Sequence, residues 1–334
     1  MEDQDFLAKK SEEEVVENIL RPRKLDDYIG QEKIKDGLKV FIKAAQKRKE
    51  PIEHILIFGP PGLGKTTLAY VIAHETNSHI TITSGPAIER SGDLVSILTN
   101  LEDNDILFID EIHRLNRVVE EVLYPAMEDY AVDIVIGKGP SAKTLRVDLP
   151  KFTLIGATTR VSMLSSPLRD RFGLVQGLDF YEDSEIEKIL ERSAKILDVS
   201  FEKDCLGDIA VCSRKTPRVA NRLLKRVRDF ATVYNKGKID KKISKTALEK
   251  LGVDEMGFDD VDRRYLLALL KKFSGGPAGI ETLAASTSID RDTIEVVIEP
   301  YLMQTGFIKR TSRGRVATSK AFEFFHLKNQ QKLI

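Results

Sequence analysis

The stretch GPPGLGKTT at 59–67 follows the apolar run HILIF at 54–58 and leads into the helical pattern KTTLAYVIAHET at 65–76. It fits the pattern G-x-x-x-x-G-K-[ST] in the strand–loop–helix context that a phosphate-binding loop requires. Glycines in the loop let backbone N–H groups turn inward around phosphates, and the N-terminus of the helix adds a favourable dipole. The sequence therefore predicts a P-loop in which Lys65 reaches the β- and γ-phosphates and Thr66 offers its hydroxyl to Mg²⁺.

Short β-branched runs alternate with helical patterns after this loop. They are HITIT at 79–83, DILFID at 105–110 and FTLIGATT at 152–159. Apolar strands separated by helices indicate a mostly parallel sheet that is covered on both faces. We therefore predict an α/β P-loop domain over residues 1–181. Residues 131–150 interrupt the alternation and predict an inserted β-hairpin, because two β-branched stretches flank KGPSA.

The rest of the chain predicts two smaller domains. Residues 182–252 are helical by pattern and form an all-α segment, which the polar joint GVDEMGFDD separates from the C-terminal segment. Residues 255–334 have the order helix, helix, helix, hairpin, with the hairpin turn at 312–314. This order predicts a winged helix, a relative of the helix-turn-helix. A small helical cap with an incidental hairpin is the alternative.

Composition excludes several classes of protein. The chain has 334 residues, with 52 Lys+Arg and 52 Asp+Glu, so the net charge indicates no particular partner. Basic residues concentrate over 203–245 and after Gln304, which suggests nucleic acid, although a solvated basic face is the commoner explanation. Cys205 and Cys212 are the two cysteines, which rules out a disulfide framework and argues against structural zinc. The sequence has neither an apolar run of transmembrane length nor a signal-peptide pattern, which predicts a cytoplasmic location.

Carboxylates and hydroxyls follow two of the predicted strands. ILFIDE at 106–111 ends in Asp110, which can hold Mg²⁺, and Glu111, which can polarise an attacking water. Ligands sit at this carboxyl edge of a parallel sheet, although solvated acids at a strand end are the alternative. After the next strand, Thr158 and Thr159 can order the attacking water or sense the γ-phosphate, or can equally serve as turn hydroxyls.

Two arginines have positions that suit phosphate. In SSPLRDRFG at 165–173, Ser166 can cap a short helix, and Arg171 then follows the last predicted core strand. We expect Arg171 to point at ATP held by a neighbouring copy, as an arginine finger. Arg218 follows Pro217 in the first turn of a helix, where a cation opposes the helix dipole. A bound phosphate would compensate this charge; a solvent-facing arginine in a basic helix is the alternative.

The order of these motifs resembles the AAA+ ATPases. The added winged helix makes the sequence similar, across essentially its whole length, to the RuvB family of bacterial Holliday junction branch-migration motors. The segments that carry this resemblance are GPPGLGKTT, DEIHRL, SPLRDRFG, TPRVANRLLKRVRDFA and GPAGIETLA. The resemblance implies an ATP hydrolase and helicase that uses ATP and Mg²⁺ and forms a homohexameric ring around duplex DNA. It further implies action with RuvA and RuvC in recombination and DNA repair, within the SOS response to DNA damage.

The resemblance also implies individual contacts. Positions that match the family's nucleotide site are Leu20, Arg21, Tyr28, Ile29, Gly62, Leu63, Gly64, Lys65, Thr66, Thr67, Glu128, Asp129, Tyr130, Arg171, Tyr181, Pro217 and Arg218. Of these, Glu128–Tyr130 match a stretch near nucleotide at the subunit interface. The hairpin at 131–150 matches the element that contacts RuvA, and its apolar VDIVIG suits such a contact. Arg291, Arg310 and Arg315 match DNA contacts, and hairpin arginines suit phosphates without reading sequence.

Three functions are compatible with these observations. The first is an ATP-driven motor that pulls duplex DNA past its winged helices. The second is a clamp-loader-like or protein-remodelling AAA+ switch, whose winged helix would serve docking. The third is a winged-helix regulator that binds ATP only as a signal, which would protect one particular DNA sequence rather than bind all sequences uniformly.

Overall fold

A computed structural model of the chain describes residues 17–136, 143–202 and 204–327. The chain divides into two compact units. One extends to Gly59 and resumes over Leu63–Asp179, and the other comprises Pro60–Gly62 and the chain from Phe180 onward. In the described part of the chain, we find no helix with the length and apolar character needed to cross a membrane.

The first unit is an α/β structure. Its elements in chain order are α1 (Glu32–Arg48), β1 (Ile55–Phe58), α2 (Lys65–Thr76), β2 (Ile80–Ser84), α3 (Ser91–Thr99), β3 (Ile106–Asp110), α4 (Arg117–Glu128), β4 (Ala131–Ile136), β5 (Lys143–Asp148), β6 (Thr153–Thr158), α5 (Ser166–Arg169) and β7 (Leu174–Gly177). Single 3₁₀ turns lie at Gly85–Ala87, Ile112–Arg114 and Val161–Met163.

Five of these strands form one parallel sheet with the order β2-β3-β6-β1-β7. Residues of β1, β3 and β6 are almost entirely buried, as expected for strands with helices on both faces. The predicted parallel sheet is therefore confirmed. The sequence analysis missed β7, because LVQG is short and its glutamine and glycine break the apolar pattern. The expectation that Arg171 follows the last core strand is therefore wrong, since β7 begins three residues later.

The predicted hairpin insertion is present as the antiparallel pair β4–β5, in which Ala131 lies opposite Asp148. Its turn, KGPSA at 138–142, lies outside the described residues. Val132 is buried, and Ile134 packs against the core of the sheet domain, so these residues of VDIVIG do not form the expected exposed apolar surface. On the opposite strand, Leu145 is 50% exposed.

The second unit is mainly helical. Its elements are α6 (Asp183–Ile196), β8 (Ser200–Phe201), α7 (Cys205–Val211), α8 (Pro217–Tyr234), β9 (Lys238–Ile239), α9 (Lys241–Lys250), α10 (Asp260–Leu267), α11 (Ile280–Thr287), α12 (Arg291–Thr293), α13 (Glu299–Gln304), β10 (Ile308–Thr311), β11 (Gly314–Ala317) and α14 (Ser319–Phe324). π-helical turns extend α10 over Ala268–Lys272 and join α12 to α13 over Ile294–Ile298.

The C-terminal part of this unit has the predicted winged-helix order. Helices α10, α11 and α12–α13 precede the antiparallel hairpin β10–β11, whose two-residue loop is Ser312–Arg313. Phe258 and Phe307 pack edge to face, with ring centroids 4.8 Å apart, in its core. The sequence analysis did not predict α14 or the two-residue parallel pair β8–β9.

Candidate nucleotide and DNA sites

The P-loop backbone takes a conformation that requires glycine. Gly59 has φ 144° and Gly64 has φ 98°, both in the region that L side chains rarely adopt. A Cβ on Gly59 would lie 2.7 Å from the Leu178 carbonyl oxygen, and one on Gly64 would lie 2.9 Å from the Tyr28 hydroxyl oxygen. Lys65 begins α2, and its Nζ donates to the Gly59 carbonyl at 2.8 Å. The loop therefore has the glycine-dependent backbone, at the N-terminus of a helix, that is typical of phosphate-binding loops.

Of the first-unit residues expected near the nucleotide, Tyr28 contacts the loop directly. Tyr28 is buried, and its hydroxyl donates to the carbonyl of Leu63, which is itself fully buried. Leu20 is buried as well, Ile29 is half-buried, and the Arg21 guanidinium stacks over the Tyr70 ring at 4.8 Å. Thr66 and Thr67, in the first turn of α2, are both half-buried. Tyr28 thus packs directly against the P-loop.

The predicted acids end β3 at the same carboxyl edge of the sheet. Glu111 has a left-handed φ of 48°, and its N–H donates to Asp110 Oδ1 at 2.8 Å. Its carboxylate pairs with Arg114 at 3.0 Å. Strand β6 lies between β3 and β1, so its terminal Thr158 stands between these acids and the P-loop.

The two threonines differ in their surroundings. Thr158 is buried, and its hydroxyl lies 2.9 Å from His113 Nδ1 while it accepts the Arg160 N–H at 2.9 Å. Burial lowers the pKa of His113, so its neutral form is favoured. Thr159 is half-buried. The sequence analysis missed His113, whose role becomes visible only when the turn after β3 is placed beside the end of β6.

Arg171 follows the short helix α5. The N-cap of α5 is Ser165, whose Oγ accepts the Leu168 N–H, so the prediction that Ser166 caps this helix is wrong by one residue. Arg171 Nη1 donates to the Pro167 carbonyl at 2.7 Å, and its guanidinium carbon lies 4.5 Å from the centroid of the Tyr124 ring.

The Arg171 guanidinium also contacts Glu128, in the segment Glu128–Tyr130 that is expected at the subunit interface. Arg171 Nη2 lies 3.1 Å from Glu128 Oε2, while Asp129 pairs with Arg146 at 2.7 Å and Tyr130 has a left-handed φ of 51°. The structure therefore brings Arg171 to Glu128, the first residue of this segment.

This cluster lies at the amino edge of the sheet. The Leu174 N–H, at the start of β7, donates to the carbonyl of His54, the residue before β1. His54 Nε2 in turn lies 3.0 Å from the carbonyl of Met127, in the last turn of α4. A strand of this length spans roughly 10 Å, and the P-loop follows the other end of β1. Arg171 and the P-loop therefore stand at opposite edges of one sheet.

Three further nucleotide candidates belong to the second unit and gather around one loop. Thr216 is the N-cap of α8 and Pro217 its first residue, as the sequence predicts. The Arg218 N–H donates to the Gly62 carbonyl at 3.3 Å, and the N–H of buried Tyr181 donates to the Lys215 carbonyl at 3.1 Å.

The winged-helix arginines fall into two groups. Arg291 pairs with Glu281 at 2.7 Å and Arg310 with Glu295 at 3.1 Å, and both arginine side chains are more than half exposed. Arg315 is instead 8% exposed and pairs with Glu299, which is 1% exposed. The expectation that Arg315 lies exposed on the hairpin is therefore wrong, because the ion pair with Glu299 holds its guanidinium inside the domain. Its direct contact with DNA stays a prediction.

Two exposed basic residues on the same hairpin were missed by the sequence analysis. Arg313 lies in the hairpin loop and Lys309 on β10. Neither matches a motif, so the signal that could have found them is their place beside Arg310 on an exposed strand.

A divalent cation would have few protein ligands here. Over residues 17–136, 143–202 and 204–327, no three His, Cys, Asp or Glu side chains come together as a metal site. Mg²⁺ in nucleotide sites keeps several waters and takes one or two protein oxygens plus substrate phosphates. Thr66 and Asp110 supply oxygens of that kind, so they fit Mg²⁺ bound together with a nucleotide.

A P-loop on a parallel sheet, an acid pair two strands away, a helical lid and a winged helix together define an AAA+-type ATPase. Family models match in the same order. The Holliday junction DNA helicase RuvB P-loop domain matches residues 20–178, the RuvB AAA lid domain residues 181–254, and the RuvB C-terminal winged helix domain residues 255–326. The chain belongs to the RuvB family.

Solved structures agree with this assignment. The Thermotoga maritima RuvB Holliday junction branch migration motor is 46% identical over 93% of this chain and 99% of that chain, with a TM-score of 0.85. A mutant of T. maritima RuvB is 47% identical over 92% of this chain and 99% of that chain, with a TM-score of 0.86. The predicted fold class, an α/β P-loop AAA+ domain followed by a lid and a winged helix, is thereby confirmed.

Proposed function

We propose that this chain is an ATP-driven translocase that pulls duplex DNA through a ring and drives Holliday junction branch migration in homologous recombination and DNA repair. The observation that carries the proposal is the position of Arg171 at the sheet edge opposite the P-loop. An arginine finger stabilises charge on the departing γ-phosphate, and Arg171 is poorly placed to reach its own P-loop. It acts on the nucleotide of an adjoining copy, so hydrolysis depends on assembly.

The proposed chemistry assigns one task to each residue at the carboxyl edge. Lys65 holds the β- and γ-phosphates, and Thr66 and Asp110 hold Mg²⁺, which neutralises phosphate charge when bound. Glu111 polarises the attacking water once its carboxylate leaves Arg114. Thr159 faces that water, while Thr158 is held by His113 and positions the end of β6.

The remaining nucleotide contacts are proposed on the resemblance. Leu20, Arg21, Tyr28 and Ile29 hold the base side, and Gly62, Leu63, Gly64 and Thr67 complete the loop. Tyr181, Pro217 and Arg218 contribute from the lid. Glu128, Asp129 and Tyr130 approach the neighbour's nucleotide together with Arg171, which suits their common position at the amino edge.

Mixed rings test the split site directly. Lys65→Ala subunits keep Arg171, and Arg171→Ala subunits keep the P-loop, so each variant alone should hydrolyse ATP at least ~10³-fold more slowly. In an equimolar mixture that assembles at random, about one quarter of sites combine an intact P-loop with an intact neighbouring arginine, because interfaces in a ring are head to tail. The mixture should therefore recover about a quarter of the wild-type rate.

Arg169 offers a matched control. Its side chain is 49% exposed and lies on the same short segment, so Arg169→Ala should hydrolyse ATP at the wild-type rate. A mixture of Lys65→Ala and Arg171→Ala that stays as inactive as its components contradicts the split site.

The ring, its partners and its domain limits are part of the same proposal. We propose a homohexamer, with an ATPase domain over 1–181, a lid over 182–252 and a winged-helix head over 255–334. The hairpin at 131–150 contacts RuvA, and RuvC acts on the same junctions. We also propose a cytoplasmic location and a role in the SOS response. These assignments rest on the resemblance and on membership of the RuvB family.

The RuvA contact is proposed to centre on Leu145, an exposed apolar residue of the hairpin. Leu145→Asp should weaken RuvA binding, whereas Thr144→Asp, at an exposed polar neighbour, should not. If both variants bind RuvA with equal affinity, Leu145 is not the centre of the RuvA contact.

A synthetic four-way junction tests the motor itself. With RuvA and ATP present, the wild-type chain should separate the arms of junctions of unrelated sequence at similar rates. ATP hydrolysis without any movement would favour a clamp-loader-like or protein-remodelling switch instead.

A further inference from the structure

The loop that joins α7 to α8 carries an unusual pair of residues. Arg214 and Lys215 both have a left-handed φ of 55°, which is uncommon for consecutive residues that are not glycine. Such a backbone persists only where surrounding contacts hold it, and it directs neighbouring side chains differently. Lys215 extends to exposed Glu182 of the lid, whereas Arg214 enters the winged helix.

Arg214 contacts three separate elements of the winged helix. Its Nη1 lies 3.2 Å from Asp262 Oδ2 in α10, and its Nη2 donates to the Val297 carbonyl at 2.9 Å. The guanidinium also lies over the Tyr301 ring of α13, at 5.3 Å. The Arg214 side chain is 13% exposed. Its planar guanidinium therefore links the lid to the winged helix through a largely buried set of contacts.

Asp262 adds a buried ion pair to this contact. The carboxylate is fully buried, and its burial raises the pKa to about 6, while the Arg214 charge opposes that shift. Within the described residues, Asp262 Oδ1 has no hydrogen-bond partner. Removal of Arg214 would therefore leave a buried carboxylate without the cation that faces it.

A second ion pair lies where the lid meets the head, between Arg263 Nε and Asp254 Oδ2 at 3.2 Å, and both of its side chains are more exposed than those of Arg214 and Asp262. Neutral contacts lie beside it. Cys212 Sγ donates to the Asp254 carbonyl at 3.2 Å, and the Phe180 and Tyr301 rings lie 6.4 Å apart. Neutral contacts of this kind permit small sliding movements of the lid against the head. The Arg214 guanidinium resists such sliding, because it is held by Asp262 and by the Val297 carbonyl at the same time.

The loop also reaches the lid residues proposed to contact nucleotide. The Lys215 carbonyl accepts the Tyr181 N–H, and Thr216, Pro217 and Arg218 follow directly as the first turn of α8. Three residues thus lie between Arg214, whose side chain contacts the head, and Arg218, which is proposed to contact phosphate.

We propose that Arg214 is a positioning residue that locks the lid to the winged helix, so that nucleotide-dependent movement of α8 moves the DNA-binding head as one body. This assignment rests on the proposed motor function. Arg214 touches neither nucleotide nor DNA; it acts through Asp262 and the Val297 carbonyl.

The first test compares full-length Arg214→Met with Lys215→Met. Both variants replace a long cation by methionine at neighbouring positions with the same φ, but the Lys215 ammonium pairs with the exposed carboxylate of Glu182. Arg214→Met should hydrolyse ATP within about twofold of wild type without DNA, yet migrate roughly 2- to 30-fold fewer base pairs per ATP hydrolysed. Lys215→Met should keep the wild-type ratio. A wild-type ratio in Arg214→Met overturns the proposal.

The second test reads the junction without any activity. Spin labels on Val233→Cys in the lid and Glu323→Cys in the head would report the lid–head distance by pulsed electron resonance, since both positions are exposed and Cys205 and Cys212 are buried. The wild-type distribution should be narrow with and without a non-hydrolysable ATP analogue, and Arg214→Met should broaden it.

These two readouts separate the possible failures. If wild-type protein moves no junction, the proposed function is wrong, and the distance distribution alone decides the role of Arg214. If Arg214→Met does not fold, Asp262→Asn removes the same charge pair at nearly constant volume and takes its place in both experiments. A distribution as narrow as that of wild type refutes the lock in either variant.

Discussion

Replacement of Arg315 by methionine should destabilise the winged helix before it affects any phosphate contact. Arg315 Nε lies 2.7 Å from Glu299 Oε1, and its Nη2 lies 3.2 Å from Oε2. The Tyr265 hydroxyl also donates to Oε1, at 3.0 Å. Since Glu299 is 1% exposed, Arg315→Met would leave a buried carboxylate with one neutral donor.

The cost of that change follows from burial. Breaking a buried ion pair by removing one partner costs about 3–5 kcal/mol, because the remaining charge is uncompensated. In a cooperative unit of about 150 residues, each kcal/mol lowers the melting temperature by about 2–4 °C. The transition that includes the winged helix should therefore fall by ~10 °C. In Arg315→Met/Glu299→Gln, the charge is absent and the amide oxygen accepts from Tyr265, so most of this loss should be recovered.

Calorimetry and fluorescence anisotropy on a labelled duplex at 20 °C provide the measurement. The double variant should bind DNA with near wild-type affinity if Arg315 is structural. Arg310→Ala is the opposite case: its pair with Glu295 is exposed and worth about 0–1 kcal/mol, so stability should persist while the salt slope of binding flattens by about one. A double variant that is stable yet loses DNA affinity as Arg310→Ala does would refute the reasoning and restore Arg315 as a phosphate contact.

Three further predictions concern the ATPase domain. Gly64→Ala should cost about 1–3 kcal/mol in ATP binding, measured with a fluorescent analogue, because φ is 98° and the new Cβ would meet the Tyr28 hydroxyl; wild-type affinity would contradict a phosphate-binding role of the loop. His113→Phe should lower kcat about tenfold at unchanged ATP affinity, because it removes the hydrogen bond to Thr158. Thr158→Val should lower kcat by the same factor, and the double variant should be no slower than either single variant. Burial lowers the pKa of His54, so the unfolded chain binds the proton more readily, and the free energy of unfolding should fall as pH drops below about 6.5. Urea titrations at several pH values should show a smaller loss in His54→Gln than in wild type, where the remainder includes His113, whose pKa burial also lowers.

The sequence predicted those parts of the fold that depend on local pattern. The glycines of the P-loop have positive φ, and the apolar runs around them became β1, β2, β3 and β6. The sequence did not predict strand β7, because its four residues lack an apolar period. Pairing with β1 stabilises this strand. That pairing is a property of the sheet and leaves little trace in LVQG itself.

The proposed site can be inferred from the sequence where a motif indicates the chemistry, and less so where burial determines which residues meet. Lys65, Asp110 and Glu111 follow from motif position alone. The roles of His113 and Glu128 depend on which elements lie beside them, namely the end of β6 for His113 and Arg171 for Glu128. Spacing along the chain does not encode these contacts, because 45 and 43 residues separate the partners.

Burial separates arginines that the sequence treats alike. Arg171, Arg291 and Arg310 each pair with a glutamate that keeps access to water, so a phosphate can compete for the guanidinium at little cost. The carboxylates that hold Arg214 and Arg315 are shut off from water, and release of either arginine would strand a desolvated charge. The first group can exchange an internal partner for a ligand during a working cycle, and the second cannot. An arginine that binds and releases phosphate repeatedly needs an internal partner that it can leave at little cost, and the exposed carboxylate of Glu128 is such a partner for the role proposed for Arg171.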